Sequence, residues 1–112
     1  MDVEVHNAPD RHRYEAYVGN QIAGIAAYHR DDGRLVFTHT EVAGKFEGRG
    51  VGGRLIRGAL DDARLHRFGV RPLCPFVAGW IARHPEYADL VGPGDAALLE
   101  NADGGGQDSA SR

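Results

Sequence analysis

With one cysteine, one methionine and one tryptophan in 112 residues, the chain is poor in several residues that define specialised protein classes. Cys74 has no partner for an internal disulfide, so a reducing, cytoplasmic setting is expected. No apolar run approaches the ~20 residues that span a bilayer, and no membrane partner is expected. The opening Met1 to His6 has neither the basic start nor the apolar middle of a secretory leader. No repeat recurs at a solenoid period. The arginines lack a basic tail and aromatic interleaving, which argues against nucleic acid. The six histidines, His6, His12, His29, His39, His66 and His84, show no zinc-ligand spacing, so no metal site is expected.

What remains is the composition of one soluble globular domain, 42% hydrophobic and 26% charged. Its net charge of −3 arises wholly in residues 92–112, where Asp95, Glu100, Asp103 and Asp108 face only Arg112. Residues 43–71 carry Lys45, Arg49, Arg54, Arg57, Arg64, Arg67 and Arg71 against Glu47, Asp61 and Asp62. That local positive excess suits a small polyanion, or else marks a solvated helix face.

The first forty residues read as an antiparallel meander. Strands are predicted at Val3–Asn7, Arg13–Val18, Gln21–His29 and Arg34–Val42, separated by turn signals at Ala8-Pro9-Asp10, Gly19-Asn20 and Asp31-Asp32-Gly33. Both Gly19 and Asn20 are expected at positive φ. Val51, Leu55, Ile56, Ala59, Leu60 and Ala63 keep a 3.6-residue period and predict a helix over Val51–Arg67, closed by a left-handed Gly69. A short strand at Val70–Pro75 and a short helix at Phe76–Arg83 follow, the latter stopped by Pro85. Residues 1–91 thus form the domain, an α+β layout with one sheet covered by helices. Residues 92–112 read as a largely disordered acidic tail with at most a helical turn at Ala96–Glu100.

Gly48, Gly50, Gly52 and Gly53 stand between a strand and an amphipathic helix. The first amides of a helix lack internal acceptors and attract anions, and glycine lets a backbone approach a phosphate closely. A flexible loop with an N-cap is the plainer alternative. Walker chemistry is excluded because no Gly-Lys-Ser/Thr is present. Gly48-x-Gly50-x-x-Gly53 has the dinucleotide spacing, but five residues separate Val42 from Gly48 and the next strand carries no acid.

The loop Glu47-Gly48-Arg49-Gly50-Val51-Gly52 resembles the Arg/Gln-x-x-Gly-x-Gly/Ala element of the GNAT N-acetyltransferases at every position but the first. The closer resemblance is to the minimal YjdJ-type subfamily. Its marks are His39-Thr40-Glu41-Val42, the glycine loop, Leu73-Cys74-Pro75-Phe76-Val77 and His84-Pro85-Glu86-Tyr87-Ala88-Asp89-Leu90-Val91. The resemblance implies a GNAT-like fold and acetyl-CoA as co-substrate. It implies pyrophosphate on the amides of Gly48, Arg49, Gly50, Val51, Gly52 and Gly53, and pantetheine between the strands at Val42 and Leu73. Glu47 departs from the family pattern, so no role is carried over to its side chain. Phe76 and Trp80 pack the short helix or shelter the cofactor; Phe76, inside the resembling motif, joins the cofactor-binding set.

Strand alternation puts Leu35, Phe37, His39 and Glu41 on one face, with His39 and Glu41 roughly 7 Å apart. Amine acetylation needs a base, and histidine's unperturbed pKa of ~6.5 suits that role. His39 and Glu41 are therefore expected to act as base, or as base and orienter; the alternative is a strand end emerging into solvent. A backbone amide at Val42 is expected to hold the oxyanion. Cys74 is either a small buried hydrophobe or a catalytic thiol, protonating the leaving thiolate or accepting the acetyl group beside His39. The resemblance, through the late tyrosine of many GNAT enzymes, implies Tyr87 as a second candidate acid; the alternative is that it only packs.

The expected activity is acetyl-CoA-dependent N-acetylation of a primary amine, on a protein lysine or a small molecule. The alternative is a non-catalytic CoA-binding module. A monomer or weak homodimer is expected.

Overall fold

Turn chemistry sets the meander. The computed structural model describes residues 1–105. Strand β1 (Glu4–Ala8) reaches β2 (Arg13–Val18) through a 3-10 turn at Pro9–Arg11, closed by His12 in the left-handed region at φ +56°. A two-residue loop joins β2 to β3 (Gln21–Asp31), and in it only Gly19, not Asn20, takes positive φ. At the next hairpin both Asp32 and Gly33 do, the pattern Asp-Gly loops favour. Strand β4 (Arg34–Val42) completes the meander.

A buried Phe46 anchors the following loop, which leads into helix α1 (Val51–Leu65). Strand β5 (Gly69–Pro72), helix α2 (Pro75–Arg83), a 3-10 segment (Pro85–Leu90) and helix α3 (Ala96–Gly105) follow. The sheet order is β1-β2-β3-β4-β5, antiparallel except for the parallel β4–β5 pair. The expected α+β, GNAT-like arrangement is thus the observed one.

One face of the sheet carries the core. Helix α1 buries the stripe Val51, Leu55, Ile56, Ala59, Leu60 and Ala63, as its period requires. Each larger aliphatic contributes about 1.5–3 kcal/mol on burial. The stripe meets Tyr14, Tyr28 and Phe37, whose rings cluster at 5.3–6.2 Å between centroids. Tyr14 donates a 2.7 Å hydrogen bond to Asp62, tying β2 to α1. Burial first, and that bond second, raise its pKa. Val77, Trp80 and Ile81 of α2 join the same core.

Three expectations are corrected here. The left-handed residue after α1 is Arg67, at φ +62°, not Gly69. Gly69 lies in β5, where a Cβ would stand 3.3 Å from the Arg34 side chain; it serves close approach rather than a cap. The strand expected over Val70–Pro75 ends at Pro72, and α2 begins at Pro75. Finally, the segment expected to be disordered is regular through Gly105. Val91 bridges Val70, and the Asp95 carboxylate accepts from Arg34 at 3.3 Å and Arg71 at 3.2 Å. Helix α3 then packs against α2. Composition hid this because the polar ties of Asp95 run to arginines far off in sequence, while Val91 and Leu99 supply the apolar contacts. Residues 106–112 of the expected tail lie outside the described residues.

Candidate functional site

The site begins where β4 and β5 part. They pair in parallel from Arg34/Gly69 to Phe37/Pro72, and the Cys74 amide then donates 2.9 Å to the Phe37 carbonyl. Pro72 has no N–H to offer, and Pro75 turns the chain into α2. Strand β4 continues alone to Val42, held only by β3. The Ala43 amide points to β3, donating 2.8 Å to Ala23. By strand alternation the amide and carbonyl groups of Thr40 and Val42 point the other way, into the gap.

A bulge changes which side chains sit there. Tyr28 pairs with Phe37 and Ala27 with His39, so Thr38 is an extra residue. The parity of β4 flips across it. His39 and Glu41 therefore do not share a face with Leu35 and Phe37, as simple alternation implies. They lie on the opposite, open face, with side chains 58% and 67% exposed and 2.7 Å between His39 Nε2 and Glu41 Oε2. Thr40 faces the core side instead, its Oγ1 3.3 Å from the buried Cys74 Sγ. Cys74 thus has Thr40, not His39, as its neighbour. Alternation alone could not reveal Thr40; a bulge leaves no mark in a sequence of β-branched residues.

Facing the gap is the N-terminus of α1. Gly50, its N-cap residue, lies at φ +78° and supplies no side-chain cap; Gly48 lies at φ +79°. The first helix-type bond runs from the Arg54 amide to the Gly50 carbonyl. The Val51, Gly52 and Gly53 amides before it are left without intrahelical acceptors. Such a terminus suits an anion, and the exposed Arg49 and Arg54 add positive charge beside it. Arg54 also donates 3.0 Å to the Met1 carbonyl.

The four glycines divide into two jobs. Gly48 and Gly50 need positive φ and have open space where a Cβ would be. Gly52 instead is packed: a Cβ there would stand 2.8 Å from Phe76 Cζ and 3.5 Å from Val42 Cγ2. Gly53 faces Trp80 Nε1 at 3.5 Å. Phe76, Gly52 and Val42 therefore join α2, α1 and the end of β4 at one point, the floor of the gap. Phe76 and Trp80, four apart on α2, share the face turned to α1.

Tyr87 is not brought to the gap. Its hydroxyl donates 2.7 Å to Asp61 and accepts 3.2 Å from Arg57, partway along α1. Burial, then the bond to Asp61, raises its pKa. The Tyr87 hydroxyl is thus tied to Asp61 and Arg57 of α1. Among the described residues no cluster of three or more His, Cys, Asp or Glu is placed to hold a metal ion, and no helix is long and apolar enough to cross a membrane.

A search of curated proteins returned no match. A family model described as GCN5-related N-acetyltransferase matches residues 13–90, from β2 to the 3-10 segment after α2. That span contains every element of the gap, and the chain belongs to the GCN5-related N-acetyltransferase family.

Proposed function

We propose that this chain transfers the acetyl group of acetyl-CoA to a primary amine, on a protein lysine or a small molecule. The observation that carries this reading is the parting of β4 from β5 directly before an uncapped, glycine-lined helix N-terminus. An unpaired strand edge suits the amides of pantetheine, and the Gly48–Gly53 backbone, with Arg49, suits its pyrophosphate. Thr40 and Val42 offer the edge groups, with Val42 and Phe76 as the apolar floor. Bound acetyl-CoA supplies the acetyl group as an activated thioester.

The chain's own residues divide the proton work. Glu41 accepts from His39 Nε2, which leaves Nδ1 as the ring's acceptor. His39 then takes the surplus proton of the amine as the N–C bond forms and the C–S bond breaks. The Val42 amide holds the carbonyl oxygen. Cys74, hydrogen-bonded with Thr40 on the other side of the sheet, returns a proton to the departing sulfur or accepts the acetyl group first. In this reading the base lies on the open face of the sheet and the buried thiol on its core side. The four sequence motifs support placement with the minimal YjdJ-type members, and the free Cys74 supports a reducing cytoplasm.

The sheet standing between Cys74 and His39 favours a second reading, a module that binds acetyl-CoA without transferring its acetyl group. Calorimetry with acetyl-CoA, thiol release over a panel of lysine peptides and small amines, and intact-mass detection of acetyl-Cys74 separate the two. Binding with thiol release supports the enzyme; binding without release on any amine supports the module. Unchanged rates in His39→Ala, Glu41→Gln and Cys74→Ala would reject the catalytic roles.

A further inference from the structure

Trp80 is the chain's one tryptophan and only 5% exposed. Its ring is firmly set. His84 stacks on it at 3.8 Å and 13°, and the Arg57 guanidinium lies 5.3 Å from its centroid. The buried tyrosines Tyr14, Tyr28 and Tyr87 donate to Asp62, Asn7 and Asp61. The Trp80 indole N–H has no such acceptor among the described residues; the His84 side chain bonds the Trp80 backbone carbonyl, not the indole. A buried donor left without a partner costs about 1–3 kcal/mol, so it calls for an explanation.

Gly53 supplies one. Its φ is not positive, so the backbone does not require glycine there. Alanine would favour the helix by about 1 kcal/mol. A Cβ would meet nothing closer than Trp80 Nε1 at 3.5 Å, an ordinary contact. Neither strain nor crowding accounts for the glycine. The missing methyl leaves the indole nitrogen uncovered where it meets Gly53, in the first turn of α1.

We propose that Trp80 donates its indole N–H to the anion held at the N-terminus of α1, a pyrophosphate, and that Gly53 keeps that donor uncovered. The inference rests on reading this terminus as the pyrophosphate site of acetyl-CoA. The donor comes from a different helix and is already buried and oriented, so it adds affinity with little ordering penalty.

A single indole cross-peak in a 1H–15N correlation spectrum makes the test direct. Titration of the full chain with inorganic pyrophosphate and with CoA should shift the indole peak together with the amides of Gly50 to Gly53. Trp80→Phe, which keeps the ring packing, should weaken CoA about tenfold, the size expected for losing one hydrogen bond to a charged group. Gly53→Ala should weaken it in the same direction by covering the donor. If the glycine amides shift while the indole peak stays and Trp80→Phe binds like the parent, Trp80 merely packs and the inference fails alone. If no peak moves with either ligand, the pyrophosphate reading fails with it. Should Trp80→Phe not fold, the titration of the parent chain decides.

Discussion

Strand β4 has two halves that differ in almost everything but continuity. Arg34 to Phe37 is paired on both sides, and Leu35, Val36 and Phe37 are 2%, 1% and 0% exposed. Thr38 to Val42 is paired on one side only, and none of its five side chains is buried. A bulge at Thr38 and the brevity of β5 separate them. The first half spends its hydrogen bonds and apolar area on the fold. The second keeps edge groups free, which the fold tolerates because β3 and a buried Phe46 still hold it. Sheet edges are usually a liability, and in the proposed function pantetheine would cover this one.

Substitutions one bulge apart should therefore fail in different ways. His39→Ala is expected to lower acetyl transfer by roughly 10²–10⁴-fold while melting temperature and CoA affinity stay near the parent's. Phe37→Ala is expected to lose about 3–5 kcal/mol of stability, seen in urea unfolding, because it empties the centre of the aromatic cluster. If His39→Ala destabilised the chain as much as Phe37→Ala does, the division of β4 would be wrong.

Acid offers a second separation. Glu15 lies on the same open face as Glu41, both paired through Ile25. Unlike Glu41 it is buried, and it accepts from Arg11, Arg13 and Tyr17. The Arg11 hydrogen bonds above all hold its pKa down, to about 2, against the opposing effect of burial. A depressed carboxylate stabilises the fold fully above its unfolded pKa of ~4.3, and loses that stabilisation as pH falls from there toward 2. Glu15→Gln should cost roughly 2 kcal/mol at pH 7 and flatten this acid limb of the stability curve.

How much of this was legible differs by element. The meander and α1 were readable because Gly19, Asp32-Gly33 and a 3.6-period stripe act locally. The glycine loop was readable as a loop, but its division of labour was not. That Gly52 serves Phe76 and Gly53 faces Trp80 depends on a helix twenty-odd residues further along the chain. The pairing of Thr40 with Cys74 was hidden by the bulge, since alternation assumes an unbroken ladder. Asp95 read as one more acid in a polar tail because its arginine partners lie far off in sequence.

Gly50→Ala probes the free half from the helix side. At φ +78° an alanine is strained by about 1–2 kcal/mol, yet nothing within 4 Å opposes its methyl. Relief of that strain must come from the loop, so CoA affinity should fall about tenfold or more while the core stays intact. Measured by calorimetry beside Phe37→Ala, whose surviving folded fraction should bind CoA normally, it sets ligand loss against fold loss.

The smallest expected effect belongs to Asp95, which touches only the paired half. Its carboxylate is 12% exposed and joins Arg34 on β4 to Arg71 on β5, which pairs with Val36. Both guanidiniums are more than a third exposed and can return to water once the acid is gone. Asp95→Ala should therefore cost only about 1 kcal/mol, a few degrees of melting temperature. Protease should then cut more readily between Gly92 and Glu100, since that stretch loses its polar tie to the sheet. Calorimetry on the same variant should return the parent's CoA affinity, because the paired half holds the gap in place without lining it. A weakened affinity would mean that strain passes from the paired half into the free one, and the two halves of β4 would have to be treated as one unit.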